Sequence, residues 1–207
     1  MTLIDLLYAL LAYAFGGISF GSMITKHYGV KLTKVGSRGS GATNTGRALA
    51  EKIGPAKAKK WEHRTMLLDM AKGLTVVLVA RSIGYDTVQS TIGGMIAVVG
   101  HCWSPWIGFK GGKGVATTMG VGLAIHPLMA VGCFVLWIIV KKVTKYVSVA
   151  SMTGVVVFAA VEATFTHDPN MVKLMFAGAA MLIILQHRKN IQRLLDGTEP
   201  KTTKATR

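Results

Sequence analysis

Three polar segments set against apolar sequence hold the residue types that bind anions. The first runs Lys34-Val35-Gly36-Ser37-Arg38-Gly39-Ser40-Gly41-Ala42-Thr43-Asn44-Thr45-Gly46-Arg47. Its glycines permit positive φ and let backbone N–H groups converge on an anion. Ser37, Ser40, Thr43 and Asn44 add neutral donors, and Arg38 and Arg47 add charge. The Gly-Lys-Ser/Thr ending of a P-loop is absent, and a flexible polar loop shares this composition. The second segment, Phe109-Lys110-Gly111-Gly112-Lys113-Gly114-Val115-Ala116-Thr117-Thr118, runs straight into an apolar helix. A helix N-terminus offers unpaired N–H donors and partial positive charge, so an anion site gives both the glycines and the lysines a role. The plainer alternative is a hinge anchored by lysines. The third, His187-Arg188-Lys189-Asn190-Ile191-Gln192-Arg193-Leu194-Leu195-Asp196-Gly197, puts His187 and Asn190 on one helical face. A basic helix lying on anionic lipid has the same pattern.

Asp69 and Lys72 add a fourth feature, since both interrupt an apolar run. A charge at the centre of a membrane helix costs roughly 2.5–3.5 kcal/mol, so such residues pair or serve a polar site. No His-x4-Asp spacing, Walker sequence or Rossmann fingerprint is present, and the six histidines are scattered. Nothing in these patterns asks for a nucleotide or a metal.

The elements that must position these segments follow from composition. Of 207 residues, 51% are hydrophobic and 16% charged, yet the formal net charge is +15. Mean hydropathy is +0.44, which is too apolar for a soluble nucleic-acid-binding protein or a disordered basic chain. The combination fits a polytopic membrane protein with basic loops. Cys102 and Cys133 lie in apolar sequence and read as buried thiols rather than a disulfide framework.

Apolar runs predict spans over 3–24, 66–80, 87–106, 115–140, 146–164 and 171–186. The first is read as an anchored helix rather than a signal peptide, with Gly17 and Gly21 allowing close packing. The 25–65 segment and the tail carrying Arg188, Lys189, Arg193, Lys201, Lys204 and Arg207 are basic, which predicts that both are cytoplasmic. A single 115–140 span would put Lys141, Lys142 and Lys145 on the wrong side. Breaking it at His126-Pro127 into 115–125 and 128–140 restores the alternation. The expectation is an all-α integral membrane protein of one domain, 1–207, with a basic tail from about 187. It has about seven transmembrane helices, some short, with six as the alternative; glycine-rich loops are cytoplasmic and the N-terminus is outside.

Taken together, the segments resemble the bacterial PlsY-type acyl-phosphate:glycerol-3-phosphate acyltransferases. The resemblance rests on Gly41-Ala42-Thr43-Asn44, Asp69-x-x-Lys72-Gly73, Gly100-His101, Phe109 to Thr117, Tyr146-Val-Ser-x-Ala-Ser151 and His187-Arg-x-Asn-Ile-x-Arg-Leu194. It implies transfer of a fatty acyl group from acyl phosphate to the 1-hydroxyl of glycerol 3-phosphate, giving lysophosphatidic acid and phosphate. That is the first step towards bacterial phospholipids, at a cytoplasm-facing site in the inner membrane, with no cofactor or metal in the reaction. By the same resemblance Ser37, Lys113, His187 and Asn190 are the expected catalytic residues. Thr43, Asn44, Arg47, Lys72, Lys110, Gly111, Gly112, Gly114, Thr117 and Arg193 are the expected substrate-binding residues. The chain departs from the family pattern at Arg38-Gly39, where Gly-Asn is usual, at Thr33, where an arginine is usual, and in its longer, basic 48–64 stretch.

Both expected substrates carry phosphate, and Lys, Arg, backbone N–H and neutral donors suit them. Acyl phosphate is already activated, so alignment and charge stabilisation are enough for direct attack. No His–carboxylate relay is evident to make Ser37 a nucleophile. The expected partners are the two substrates, membrane lipid and, as a candidate, a soluble enzyme that makes acyl phosphate; nucleic acid is not among them. An organophosphate or anion transporter and a catalytically silent scaffold are the other classes. Against transport, the chain has no obvious inverted repeat, and its polar segments gather on one side. Met66, Met119, Met152 and Met181 are left as packing residues, and Trp103 and Trp106 as an interfacial belt.

Overall fold

A computed structural model of the chain describes residues 2–202, so Lys204 and Arg207 of the basic tail lie outside the described residues. Among these residues every regular element is helical. The α-helices are α1 (Leu3–Gly16), α2 (Phe20–His27), α3 (Ala42–Ile53), α4 (Pro55–Ser82), α5 (Thr87–Cys102), α6 (Val115–Ile125), α7 (Pro127–Thr144), α8 (Val147–Phe165), α9 (Asn170–Gln186) and α10 (Arg188–Leu195).

Local chemistry explains the boundaries. Thr2 and Asp5 form a reciprocal capping box at the start of α1, and Tyr85 donates to the same Asp5 carboxylate at 2.7 Å. The one acid of the first apolar run therefore caps a helix and ties α1 to the α4–α5 turn. The run itself bends at Gly17, and Ser19 caps α2. At His126-Pro127 the chain ends α6 and starts α7, as the orientation argument required.

The 25–65 segment is not the loop its polarity indicated. Most of it is α3 and the first part of α4, separated by Gly54 at φ +80° with Pro55 in the first turn of α4. Its Ala, Lys and Glu residues are good helix formers, and hydropathy registers bilayer fitness rather than helicity. The apolar 66–80 run is thus only the second half of a 28-residue helix.

By length and composition, three stretches suit a bilayer crossing: Leu3–His27, Pro127–Thr144 and Val147–Phe165. Asn170–Gln186 with Arg188–Leu195 makes a fourth if taken as one span bent by 54°. Apolar side chains stand outward on these helices, with Leu128 89% and Leu174 66% exposed, as lipid contact requires.

The core gathers Val77, Val98, Val121, Ile125, Phe158 and Phe176 between α4, α5, α6, α8 and α9. Glycines set its closest crossings. A Cβ on Gly73 would strike the Thr117 carbonyl, and one on Gly120 the Met70 carbonyl, so α4 and α6 touch backbone to backbone. That contact fixes where the N-terminus of α6 lies.

Candidate active site

The first glycine-rich segment is organised by Asn44. Its amide donates to Gly39 O at 2.8 Å, Val35 O at 3.1 Å and Leu32 O at 3.4 Å, and its Oδ1 accepts from Ser37 N at 3.0 Å. One buried side chain thereby replaces the missing secondary structure of the loop and holds Gly36 (φ +55°) and Arg38 (φ +60°) in left-handed turns. Gly21 on α2 leaves room for the Ser40 carbonyl, so the close packing expected of this glycine serves the loop.

The second segment docks onto the first, with Ser40 N donating to Gly111 O at 3.1 Å and Gly112 N to His101 O at 3.0 Å. Gly111 lies against the His101 and Cys102 backbone, and Gly112 against the His101 ring, with no space for a Cβ at either. Gly114, at φ +88°, starts α6. The third segment enters through the bend between α9 and α10. Lys113 Nζ donates to Asn190 Oδ1 at 2.5 Å, across 77 residues of sequence.

Ser37, Gly39, Thr43, Lys113, Gly114 and His187 line a cavity of about 160 Å³. Gly112, Asn44, Asp69 and His101 also reach its wall. Most of the rest is apolar, supplied by Met66, Met70, Val115, Met119, Phe134, Trp137 and Val147, with Ser151 beside them. Phe134 and Trp137 are stacked with centroids 5.9 Å apart, Trp137 Nε1 donates to Ser151 Oγ at 3.2 Å, and Lys141 covers the indole at 4.3 Å. Met66 and Met119 therefore line the cavity, whereas Met152 and Met181 are not among its lining residues.

Burial lowers the Lys113 pKa to about 8. Glu199 pulls it back up, while Arg193 and Arg47 push it further down. Arg47, partly exposed on α3, thus contributes to the positive potential around Lys113. His187 is buried at the end of α9, with Nδ1 2.8 Å from Ile183 O. A proton on Nδ1 satisfies that carbonyl and leaves Nε2 with a free lone pair.

Other expected residues stand behind the wall or beside it. The Lys72 ammonium is spent on Ile18 O at 2.9 Å, His101 Nδ1 at 2.7 Å and Asp69 Oδ1 at 3.0 Å. Only 1% exposed, Lys72 ties the α1–α2 break to α4 and α5, while Asp69 and His101 present the cavity face. Lys110 faces a separate crevice with Lys26 and Lys31. Thr117 is buried beneath the α4 crossing, and its Oγ1 has no partner. Arg193 pairs with Glu199 at 2.7 Å.

Glu199 was not anticipated from the sequence. Its Oε1 accepts from Asn190 Nδ2 at 2.6 Å and from Ser148 Oγ at 2.8 Å, and its Oε2 accepts from Arg193 Nε at 2.7 Å. Burial alone would raise its pKa, but the three donors hold it below the ordinary carboxylate value. The tail continues back to α7, where Thr202 N donates to Lys145 O at 2.8 Å. An acid in an otherwise basic tail was the available signal, without a sequence pattern to aim it. Phe134 and Trp137 also escaped, because aromatics at i, i+3 in an apolar helix are ordinary packing.

A family profile described as Glycerol-3-phosphate acyltransferase matches residues 6–197. A glycerol-3-phosphate acyltransferase of Nitratiruptor sp. is 40% identical over 202 residues, covering 95% of each chain. One of Aquifex aeolicus is 40% identical, covering 91% of this chain and 94% of its own. Among solved structures, PlsY, an integral membrane glycerol 3-phosphate acyltransferase, superposes in its glycerol 3-phosphate form with a TM-score of 0.87 at 38% identity, covering 96% of both chains. Its lysophosphatidic acid form gives 0.84 at 37% identity over 96% and 95%.

Proposed function

The chain belongs to the glycerol-3-phosphate acyltransferase family of integral membrane enzymes, and from that premise we propose that its donor is an acyl phosphate. The acyl group passes to the 1-hydroxyl of glycerol 3-phosphate, releasing lysophosphatidic acid and inorganic phosphate. The observation that carries this reading is one cavity lined by two chemistries: Lys113, His187 and glycine-loop donors, and the apolar surfaces of Met66, Phe134 and Trp137. A substrate that is half anion and half acyl chain matches that division.

In this reading Lys113, held by Asn190, and the Lys113–Gly114 backbone N–H groups carry the phosphate charge at the α6 N-terminus. His187 Nε2 accepts a hydrogen bond from the attacking hydroxyl. The hydroxyl oxygen bonds to the acyl carbon, the bond from that carbon to the phosphate oxygen breaks, and phosphate leaves with the electron pair. The proton moves to His187 or to the departing phosphate. Ser37 helps to hold a phosphate rather than attacking, since its Oγ makes no hydrogen bond to a histidine among the described residues. The expected seven spans place the three glycine and basic segments together in the cytoplasm with the N-terminus outside, in the bacterial inner membrane.

The test is phosphate release by purified protein given palmitoyl phosphate and glycerol 3-phosphate, with labelled acyl donor used to search for an adduct. Release that needs glycerol 3-phosphate, with no acyl-Ser37, is the expected result. Phosphate uptake into liposomes without release would replace this reading by transport, and a trapped acyl-Ser37 would replace direct attack.

A further inference from the structure

A second group of ligating side chains lies at the other end of α6. His126 ends α6, Glu162 stands on α8, and Asp168 occupies the turn before α9. Eleven helical residues, about 16 Å of rise, separate this group from Gly114 and the cavity. His126 Nε2 is 2.9 Å from Asp168 Oδ2 and 3.1 Å from Glu162 Oε2, and one ligand atom from each residue falls within 4.8 Å of the others.

The hydrogen bonds within the group do not close. One ring nitrogen carries at most one proton, so His126 Nε2 cannot donate a full hydrogen bond to both Asp168 and Glu162. Glu162 is completely buried, and its Oε2 has no hydrogen-bond partner. Its Oε1 has only Thr166 Oγ1 at 3.3 Å. Lys173, the lysine nearest this turn in sequence, is spent on the Thr166 carbonyl at 2.8 Å and the Ala163 carbonyl at 3.4 Å. A buried carboxylate facing a second carboxylate, with a single ring nitrogen between them, is a costly arrangement.

We propose that His126, Glu162 and Asp168 bind a divalent metal ion of the zinc class, which clamps the α6–α7 break to the α8–α9 turn. One imidazole and two carboxylates are a donor set that zinc accepts, and two carboxylates balance its charge. Zinc bonds of about 2.0–2.2 Å place neighbouring tetrahedral ligands about 3.3 Å apart, near the separations already present. The His126 and Asp168 side chains are 25% and 21% exposed, which gives an ion access from solvent and leaves a coordination position for water. The site is structural and takes no part in acyl transfer.

The experiment uses the full chain in detergent after chelator treatment, titrated with Zn2+ by calorimetry and with Co2+ by visible absorption. One equivalent binds with a rise in Tm, and Glu162→Gln, Asp168→Asn and His126→Gln each weaken binding at least tenfold and abolish the rise. Absence of binding to the unsubstituted chain would overturn the proposal. So would binding unchanged in the folded variants, which would locate the metal on other histidines. If one substitution prevents folding, the remaining two decide.

Discussion

Lys113 Nζ donates to Asn190 Oδ1 at 2.5 Å, and Asn190 Nδ2 donates in turn to Glu199 at 2.6 Å. A lysine at the mouth of α6 is thereby aimed from the opposite end of the sequence. Asn190 transmits position, and Glu199 anchors it to Ser148 and Arg193. An ammonium on a flexible stem loses rotamer freedom when it grips a phosphate, and a prior hydrogen bond removes part of that cost.

Lys113→Ala and His187→Ala should each lower kcat/KM by about 10²–10³, the range for removing one preorganised group from a charged transition state. Phosphate release measured on folded, membrane-inserted variants tests this. Near-normal rates in both would sink the site assignment.

Glu199→Gln keeps the shape of the side chain but removes the charge that Arg193 and Asn190 share. A hydrogen bond to a charged group contributes about 1.5–3 kcal/mol, so a loss of about tenfold or more in kcat/KM is expected. Combined with Lys113→Ala the effect should be much less than additive, because Glu199 acts through Lys113. Additive losses would make Glu199 a stability residue only.

The pH profile carries a second signature of Lys113. Its pKa of about 8 lies below the ordinary 10.5 because burial disfavours the cation. The cation is complete well below pH 8 and is lost as pH rises through that value, so kcat/KM should fall on the alkaline side with a midpoint near 8. Bound phosphate favours the cation, so the limb for kcat should lie at higher pH. Lys113→Arg should remove the limb, since arginine does not titrate there. A limb that persists in this variant would assign it to another group.

Trp137→Ala should raise KM for palmitoyl phosphate while leaving KM for glycerol 3-phosphate near its starting value, because Trp137 gives the cavity aromatic surface and its one polar atom is taken by Ser151. Equal changes in both constants would mean that Trp137 supports the site as a whole.

Gly120→Ala should destabilise the protein by about 1–3 kcal/mol, read as a lower Tm in detergent. The new methyl group would press into the Met70 backbone at the α4–α6 crossing. Gly178→Ala is the control, since a Cβ there meets nothing. Equal Tm values for the two variants would refute the close crossing.

Much of the site was legible because short polar motifs in apolar sequence have few other roles. The break at His126-Pro127 followed from charge placement together with the proline, and Gly111 to Gly114 from anion chemistry at a helix start. The pairing of Lys72 with Asp69 was legible as one of two readings, but its other partners, Ile18 O and His101, lie far off in the sequence and were not. Asn44, expected among the substrate-binding residues, reaches the cavity wall, and its amide also holds the loop, a use that no spacing reveals. The helicity of 25–65 was hidden because polarity and helix propensity vary independently. Glu199 depended on the tail turning back upon α8, a tertiary event without a local cause.

The position of Glu199 also dates the birth of the active site. Synthesis runs from the N-terminus, and Glu199 follows every long apolar helix of the chain. The carboxylate that locks Asn190 and Arg193 therefore leaves the ribosome only after α1 to α9 have been made. Until then Asn190, the partner of Lys113, has no anchor, so the proposed phosphate grip stays unassembled while the long apolar helices are being made.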